Sequence, residues 1–175
     1  LIGPLTDHEN GVRSILFTNN DRNLISADVN GVIIVHDLRN RQNTFSINSP
    51  ENMPVWGIDL KDSDLIIGGE TDSVFMVSLV NQPTFPFNRI VGTSTSPINR
   101  VAFSPDGTQV ATGGSNNDFN IIIWDLESSE SEIIEEHQSV VSDLVWNGNR
   151  VISVDFNGLV VIWENGTIRT FETGE

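Results

Sequence analysis

Apolar residues along this chain recur in one spacing: an apolar residue, two others, an apolar residue, one other, then a large apolar residue. The pattern occurs at Val12-Ile15-Phe17, Val55-Ile58-Leu60, Ile98-Val101-Phe103 and Val141-Leu144-Trp146, each 43 residues after the last. A constant period of this size is the mark of a repeat architecture. A turn follows each hit, then a short apolar run ending in a small residue: Leu24-Ile25-Ser26, Ile66-Ile67-Gly68, Val110-Ala111-Thr112 and Val151-Ile152-Ser153. Next come tight turns, "DVNG", "ETDS", "SNNDFN" and "DFNG", then the β-branched runs "VIIV", "VFMV", "IIIW" and "VVIW". Looser segments such as "NTFSI" and "TIRTF" close the units. Short runs of Val, Ile and Phe between Gly, Asn and Asp turns predict strands. Nothing of helical period and length interrupts them. The chain is therefore read as all-β, in four units of four antiparallel strands, at about 6–48, 49–91, 92–134 and 135–175.

Composition narrows the function classes. The 175 residues carry 24 acidic and 9 basic groups, for a formal net charge of -15. Lys61 is the only Lys. Phosphate contacts need clustered cations, so direct nucleic-acid binding is not expected. No apolar run has the length of a bilayer span, and no signal peptide opens the sequence. With no Cys, disulfides and thiolate metal sites are ruled out, which favours an intracellular protein, nuclear or cytoplasmic. Leu1 is not an initiator Met, so a segment of a longer protein is expected.

Catalytic motifs are absent: there is no G-x-S-x-G elbow, phosphate loop or HExxH. "DVNG" opens like a calcium loop but lacks the closing Glu. No metal or cofactor is expected.

Residues 103–128, "FSPDGTQVATGGSNNDFNIIIWDLES", resemble a WD-repeat blade of a β-propeller, with Trp124-Asp125 as the name-giving pair. The resemblance covers nearly the whole chain and is weakest in the second unit, where Ser78-Leu79 stands for Trp-Asp. It implies a hydrogen-bonded set of His, Ser or Thr, Asp and Trp in each blade. In this sequence the fourth unit supplies His137, Ser153 and Trp163, with Asn157 for Asp. The first supplies His8 and Ser26, with Asn30 for Asp and His36 for Trp. The third has Thr112, Asp118 and Trp124, with Ser94 at the His position, and the second has only Asp72. A seven-bladed ring needs more than four units, so the other blades are missing or supplied by another chain, unless the four close a small ring of their own.

The resemblance implies a non-enzymatic scaffold for other proteins. The alternative is a propeller-type hydrolase with a carboxylate site in a central channel. Arg13, Trp56 and Asn99, each just after a strand start, are binding candidates on one end of the blades. Two further likenesses point to ubiquitin ligases. Residues 55–79 resemble a fungal WD-repeat family that regulates ribonucleotide-reductase genes and associates with a cullin-type ligase. Residues 24–39, "LISADVNGVIIVHDLR", have the length and the Asp37-x-Arg39 ending of the box with which WD-repeat receptors dock onto a cullin-ligase adaptor. Asp37 and Arg39 are thus partner-binding candidates on the opposite end.

Overall fold

The computed structural model describes residues 5, 7–18, 22–40, 42–80, 87–91, 94, 96–116 and 118–173. Of the N-terminal segment Leu1–Leu5, all but Leu5 lies outside these residues. Sixteen strands follow one another. The first sheet is β1 Val12–Phe17, β2 Asn23–Asp28, β3 Val32–Asp37 and β4 Gln42–Asn48. The second is β5 Val55–Lys61, β6 Asp64–Gly69, β7 Val74–Ser78 and β8 Asn88–Val91. The third is β9 Ile98–Phe103, β10 Gln109–Gly114, β11 Ile121–Asp125 and β12 Ser131–Ile134. The fourth is β13 Val141–Asn147, β14 Arg150–Asp155, β15 Leu159–Glu164 and β16 Thr167–Glu172. Each sheet is antiparallel with its strands in sequence order. A single 3-10 turn, Pro50–Asn52, is the only helical element among the described residues.

The odd spacing of the apolar pattern has a geometric cause. A flat strand puts every second residue on one face, so Val12 and Ile15 should face opposite ways. The ladder instead slips by one residue after the first position of every first strand. Val12 pairs with Asp28 and Ser14 with Ala27. Val55 pairs with Gly69 and Gly57 with Gly68. Ile98 pairs with Gly114 and Arg100 with Gly113. Val141 pairs with Asp155 and Asp143 with Val154. One bulge in the first strand of each sheet leaves Arg13, Trp56, Asn99 and Ser142 unpaired, and it returns the two apolar positions to the same face.

That face packs on the sheet before it. Val55 and Ile58 join Ile25, Ala27, Ile33 and Val35 between sheets one and two. Ile98, Val101 and Phe103 join Ile66 and Val74 between two and three. Val141 and Leu144 join Ala111, Ile121 and Ile123 between three and four. Each fully buried Val or Ile contributes roughly 1.5–3 kcal/mol over its exposed state. The same positions in sheet one have no such cover: Val12, Ile15 and Phe17 are 45%, 61% and 59% exposed. On the far side of sheet four, Val145 is 49% exposed and Ile152 and Ile162 are half-buried. Among the described residues the four sheets do not close on each other, which sets aside the small four-bladed ring.

The two echoed turns, "DVNG" and "DFNG", end in Gly31 and Gly158 at φ 81 and 84, a left-handed conformation that favours glycine. A Cβ at Gly31 would also run into the Ser49 hydroxyl.

The second sheet departs from the expected phase. Leu60 pairs with Leu65 and Ile58 with Ile67, just as Phe17 pairs with Leu24 and Ile15 with Ser26. Leu65-Ile66-Ile67, not Ile66-Ile67-Gly68, is therefore the counterpart of Leu24-Ile25-Ser26. Val77 pairs with Leu65 as His36 pairs with Leu24, so Val77-Ser78 stands in the Trp-Asp place rather than Ser78-Leu79. Three consecutive apolar residues carry no alternation from which register could be read. The tight turn at Asp62-Ser63, with Asp62 at φ 54, decides it.

Candidate functional site

Buried polar groups need partners, and the sheets solve this differently. In sheet one His8 Nδ1 donates to Asp28 Oδ2 at 3.0 Å, and Ser26 Oγ donates to His8 Nε2 at 2.7 Å. Ser26 Oγ then accepts from His36 Nε2 at 2.8 Å. His36 Nδ1 faces Asp7 Oδ2 at 3.5 Å. His36, at the Trp position, thus takes the donor role of the absent indole. Asn30 is not the acidic substitute. Asp28 is, and its Oδ1 also accepts the Asn30 and Val32 amides.

Sheet four repeats the arrangement. His137 Nδ1 lies 3.3 Å from Asp155 Oδ2, and Ser153 Oγ donates to His137 Nε2 at 2.8 Å. Asp155 replaces the expected Asn157 and accepts the Asn157 and Leu159 amides. The Trp163 indole does not reach Ser153. It donates to Glu132 Oε1 at 2.8 Å, across to sheet three, and the ring packs edge-on against Trp146. In sheet three Trp124 Nε1 donates to Thr112 Oγ1 at 3.1 Å, as the resemblance implies. The part assigned to Ser94 falls to its neighbour Ser96, whose hydroxyl donates to the Ser115 and Asp118 carbonyls. The Asp118 carboxylate accepts the Asn120 amide two residues on. The Asp72 carboxylate accepts a local bond from Ser73 Oγ, while its backbone carbonyl accepts the Ser94 amide.

The Asp28–His8–Ser26 order matches that of a nucleophilic triad, but this serine cannot attack a substrate. Ser26 is 4% exposed and held between two imidazoles. Its hydroxyl proton and one lone pair are already engaged, so the set is a clamp.

Exposed chemistry gathers at two places. The first is a groove along β1, β5, β9 and β13, the inner edges of the four sheets, enclosing about 630 Å³. Arg13, Trp56, Lys61 and Arg100 line it, with Asp59 and Asp143 as its carboxylates. Arg13 is exposed and Trp56 half-buried. Arg100 Nη1 donates to the Asn99 carbonyl at 2.8 Å, and its Nε lies 3.7 Å from Asp143. Burial lowers the Arg100 pKa against the pull of Asp143, and the nearby Arg13 charge lowers it further. Burial pushes the Asp59 carboxyl up, although the Phe103 and Leu60 amides both donate to it. Asn99 is not a surface group. It is buried and its amide donates to the Val141 carbonyl, bracing sheets three and four.

The second place is the β3–β4 turn at the other end of sheet one. The Asp37 carboxylate accepts from Arg22 Nη2, from Asn40 Nδ2 and from the Arg39 and Asn40 amides. The Arg22 bond leads in holding it below the usual carboxylate range. Asp37 is therefore saturated from within, while the Arg39 side chain is exposed on the turn it braces. Asp125 caps the matching turn of sheet three through Ser128 and Glu127.

The family described as "WD domain, G-beta repeat" matches residues 1–37 and 86–125. Those residues are similar to WD repeats, and the four four-stranded sheets are consistent with WD-repeat blades. The second match runs from β8 of sheet two into β11 of sheet three. One WD repeat thus supplies the outer strand of one blade and three inner strands of the next, which interlocks them. The chain is 24% identical over 90% of its length to "Periodic tryptophan protein 2 homolog" of Caenorhabditis elegans, covering 17% of that protein. It is 24% identical over 96% of its length to "Denticleless protein homolog" of Danio rerio, covering 30% of that protein. To "Chromatin assembly factor 1 subunit FAS2 homolog" of Oryza sativa subsp. japonica it is 25% identical over 71%, covering 28%. It spans less than a third of the length of these curated relatives. No helix among the described residues is long and apolar enough to cross a membrane.

Proposed function

We propose that the chain is a non-enzymatic protein-interaction scaffold that docks onto the adaptor of a cullin-type ubiquitin ligase through Arg39 and takes its cargo at the end where Arg13 and Trp56 lie. WD-repeat proteins are in general interaction platforms, and the buried Ser26 and Ser153 hydroxyls are held by histidines of their own sheets. The observation that carries the docking half is the β3–β4 turn. Its backbone is tied to Asp37 by two N–H hydrogen bonds, so Arg39 projects from a braced turn and only its side chain has to be ordered on binding. A guanidinium makes several directed hydrogen bonds that an ammonium cannot reproduce. Trp and Arg are also the residue types that dominate interface energies, which supports Trp56 and Arg13 at the opposite end. The likeness of 55–79 to the fungal ligase-associated regulators stands on those residues alone. It would make the chain nuclear.

Arg39→Ala is expected to abolish co-purification of the adaptor with a melting temperature nearly unchanged, because the side chain is exposed. Undiminished co-purification of that variant removes Arg39 as the anchor. Loss of captured proteins in Trp56→Ala, read by cross-linking and mass spectrometry, tests the cargo end separately.

A further inference from the structure

We propose that the groove along the four inner strands receives an extended, carboxylate-rich segment of a partner protein, held by Arg13, Arg100 and Lys61 around Trp56. This rests on the scaffold reading above and specifies the chemistry of the cargo. The distribution of charge points to it. The chain carries 24 acidic residues against 9 basic ones, yet the groove holds three cations and only two carboxylates. Of those two, Asp59 accepts two backbone N–H groups, from Phe103 and Leu60, which offset part of its charge. Asp143 also lines the groove, 3.7 Å from the Arg100 guanidinium. Arg13 makes no ion pair among the described residues, and its charge acts on Arg100 directly. Two like charges facing one concave space are an unfavourable arrangement that an anion between them relieves. Lys61, at the other end of β5 from Trp56, is anchored to the Pro105 carbonyl at 2.8 Å and keeps further N–H groups. The cations are therefore spread along the groove, which suits an extended segment with several acidic side chains rather than a single ion.

The strand topology adds a second reason. β1, β5, β9 and β13 are each the edge of their sheet, so backbone groups of the groove wall face the space and can pair with a peptide backbone. A nucleic acid would share the charge sign, but it needs a longer run of cations, and the net charge of -15 repels a long polyanion.

The test is fluorescence anisotropy with a short fluorescein-labelled peptide alternating Glu and Leu. The controls are the same peptide with Gln for Glu, and a labelled oligothymidylate. The Glu peptide should bind, weaken with added salt, and lose about tenfold or more in affinity to Arg13→Glu. Arg13 is exposed, so this variant should melt like the wild type. Arg100→Gln should weaken binding too, while Arg169→Glu, on the outer strand β16, should leave it unchanged. Equal binding of the Gln peptide, tighter binding of the oligothymidylate, or indifference to Arg13→Glu overturns the proposal. In those cases partners whose capture depends on Trp56 and Arg39 would still be recovered, so the scaffold reading survives or fails on its own.

Discussion

Sheets one and two build the same geometry from opposite chemistry. At the positions of Asp28, Ser26 and His36 in sheet one, sheet two carries Gly69, Ile67 and Val77. The first sheet buries a line of hydrogen-bonded polar groups. The second buries hydrocarbon, with Ile67 and Val77 at 0% and 2% exposure. Both hold a bulged first strand against its neighbours in the same register. The WD-repeat pattern is therefore one solution to a packing problem and not a requirement of the backbone. The two solutions fail differently. An apolar site loses contacts in proportion to the atoms removed, whereas a polar site that loses one member leaves the others desolvated and unpaired.

Sheet three combines both chemistries and should show the largest effect. Trp124 fills core volume and also donates to Thr112. Trp124→Ala should cost roughly 3–5 kcal/mol in denaturant titration, as a large-to-small core change. Trp124→Phe retains most of the hydrocarbon and should cost much less, and the difference isolates packing from the hydrogen bond. A loss under about 1 kcal/mol for Trp124→Ala would remove it from the core.

Next comes the direct contrast. Ser26→Ala leaves both His8 and His36 without their shared hydroxyl and should cost about 1–3 kcal/mol. Ile67→Val, the matching site of sheet two, should cost about 0.5–1.5 kcal/mol. Equal losses would mean that the polar chain in sheet one is no more brittle than apolar packing.

Acid should separate the sheets as well. Asp28 and Asp155 are buried, which pushes each carboxyl up. The bonds from His8 and the Val32 and Asn30 amides, and from the Leu159 amide and His137, outweigh that push and hold both below 3.8. Folded values below the unfolded ones mean stability that is full above the unfolded value and lost as pH falls through the folded one. Burial also holds His137 below 6.5 despite Asp155. The unfolded chain therefore takes up that proton first, and stability begins to decline as the pH drops below about 6.5. Melting temperatures measured from about pH 8 to about pH 3 should show both limbs. His137→Gln should lower the whole curve and flatten the upper limb. Amides of β6 should depend on pH less than those of β14, because sheet two has no titratable group at these positions. A uniform response across the sheets would defeat the comparison.

The smallest effect is expected at the β3–β4 turn, where Arg39→Ala should leave thermal stability nearly unchanged. An appreciable drop in melting temperature would make Arg39 part of the fold and not a free anchor.

The sequence determined the repeat, the strands and the order of the four sheets, because periodic burial of β-branched residues and Gly-containing turns are local signals. It even held the bulge, since a spacing of three between like-facing residues of a strand has no flat solution. It also held the acidic partners, although in a form easily overlooked. The two units with a His four residues before the first strand are the two with Asp after Ser-x, at Asp28 and Asp155. The units without that His have Gly69 and Gly114 in the paired position. Leu65-Ile66-Ile67 offers no alternation, so the phase of β6 rested on the turn at Asp62-Ser63, whereas the contacts between blades were left to tertiary structure. It alone sent the Trp163 indole to Glu132 of the neighbouring sheet and took Asn99 out of the surface. It alone brought Arg13, Lys61 and Arg100 into one groove across nearly ninety positions of sequence. Those contacts join residues of different blades, and the strength of a pairing between blades depends on distances that no local pattern encodes.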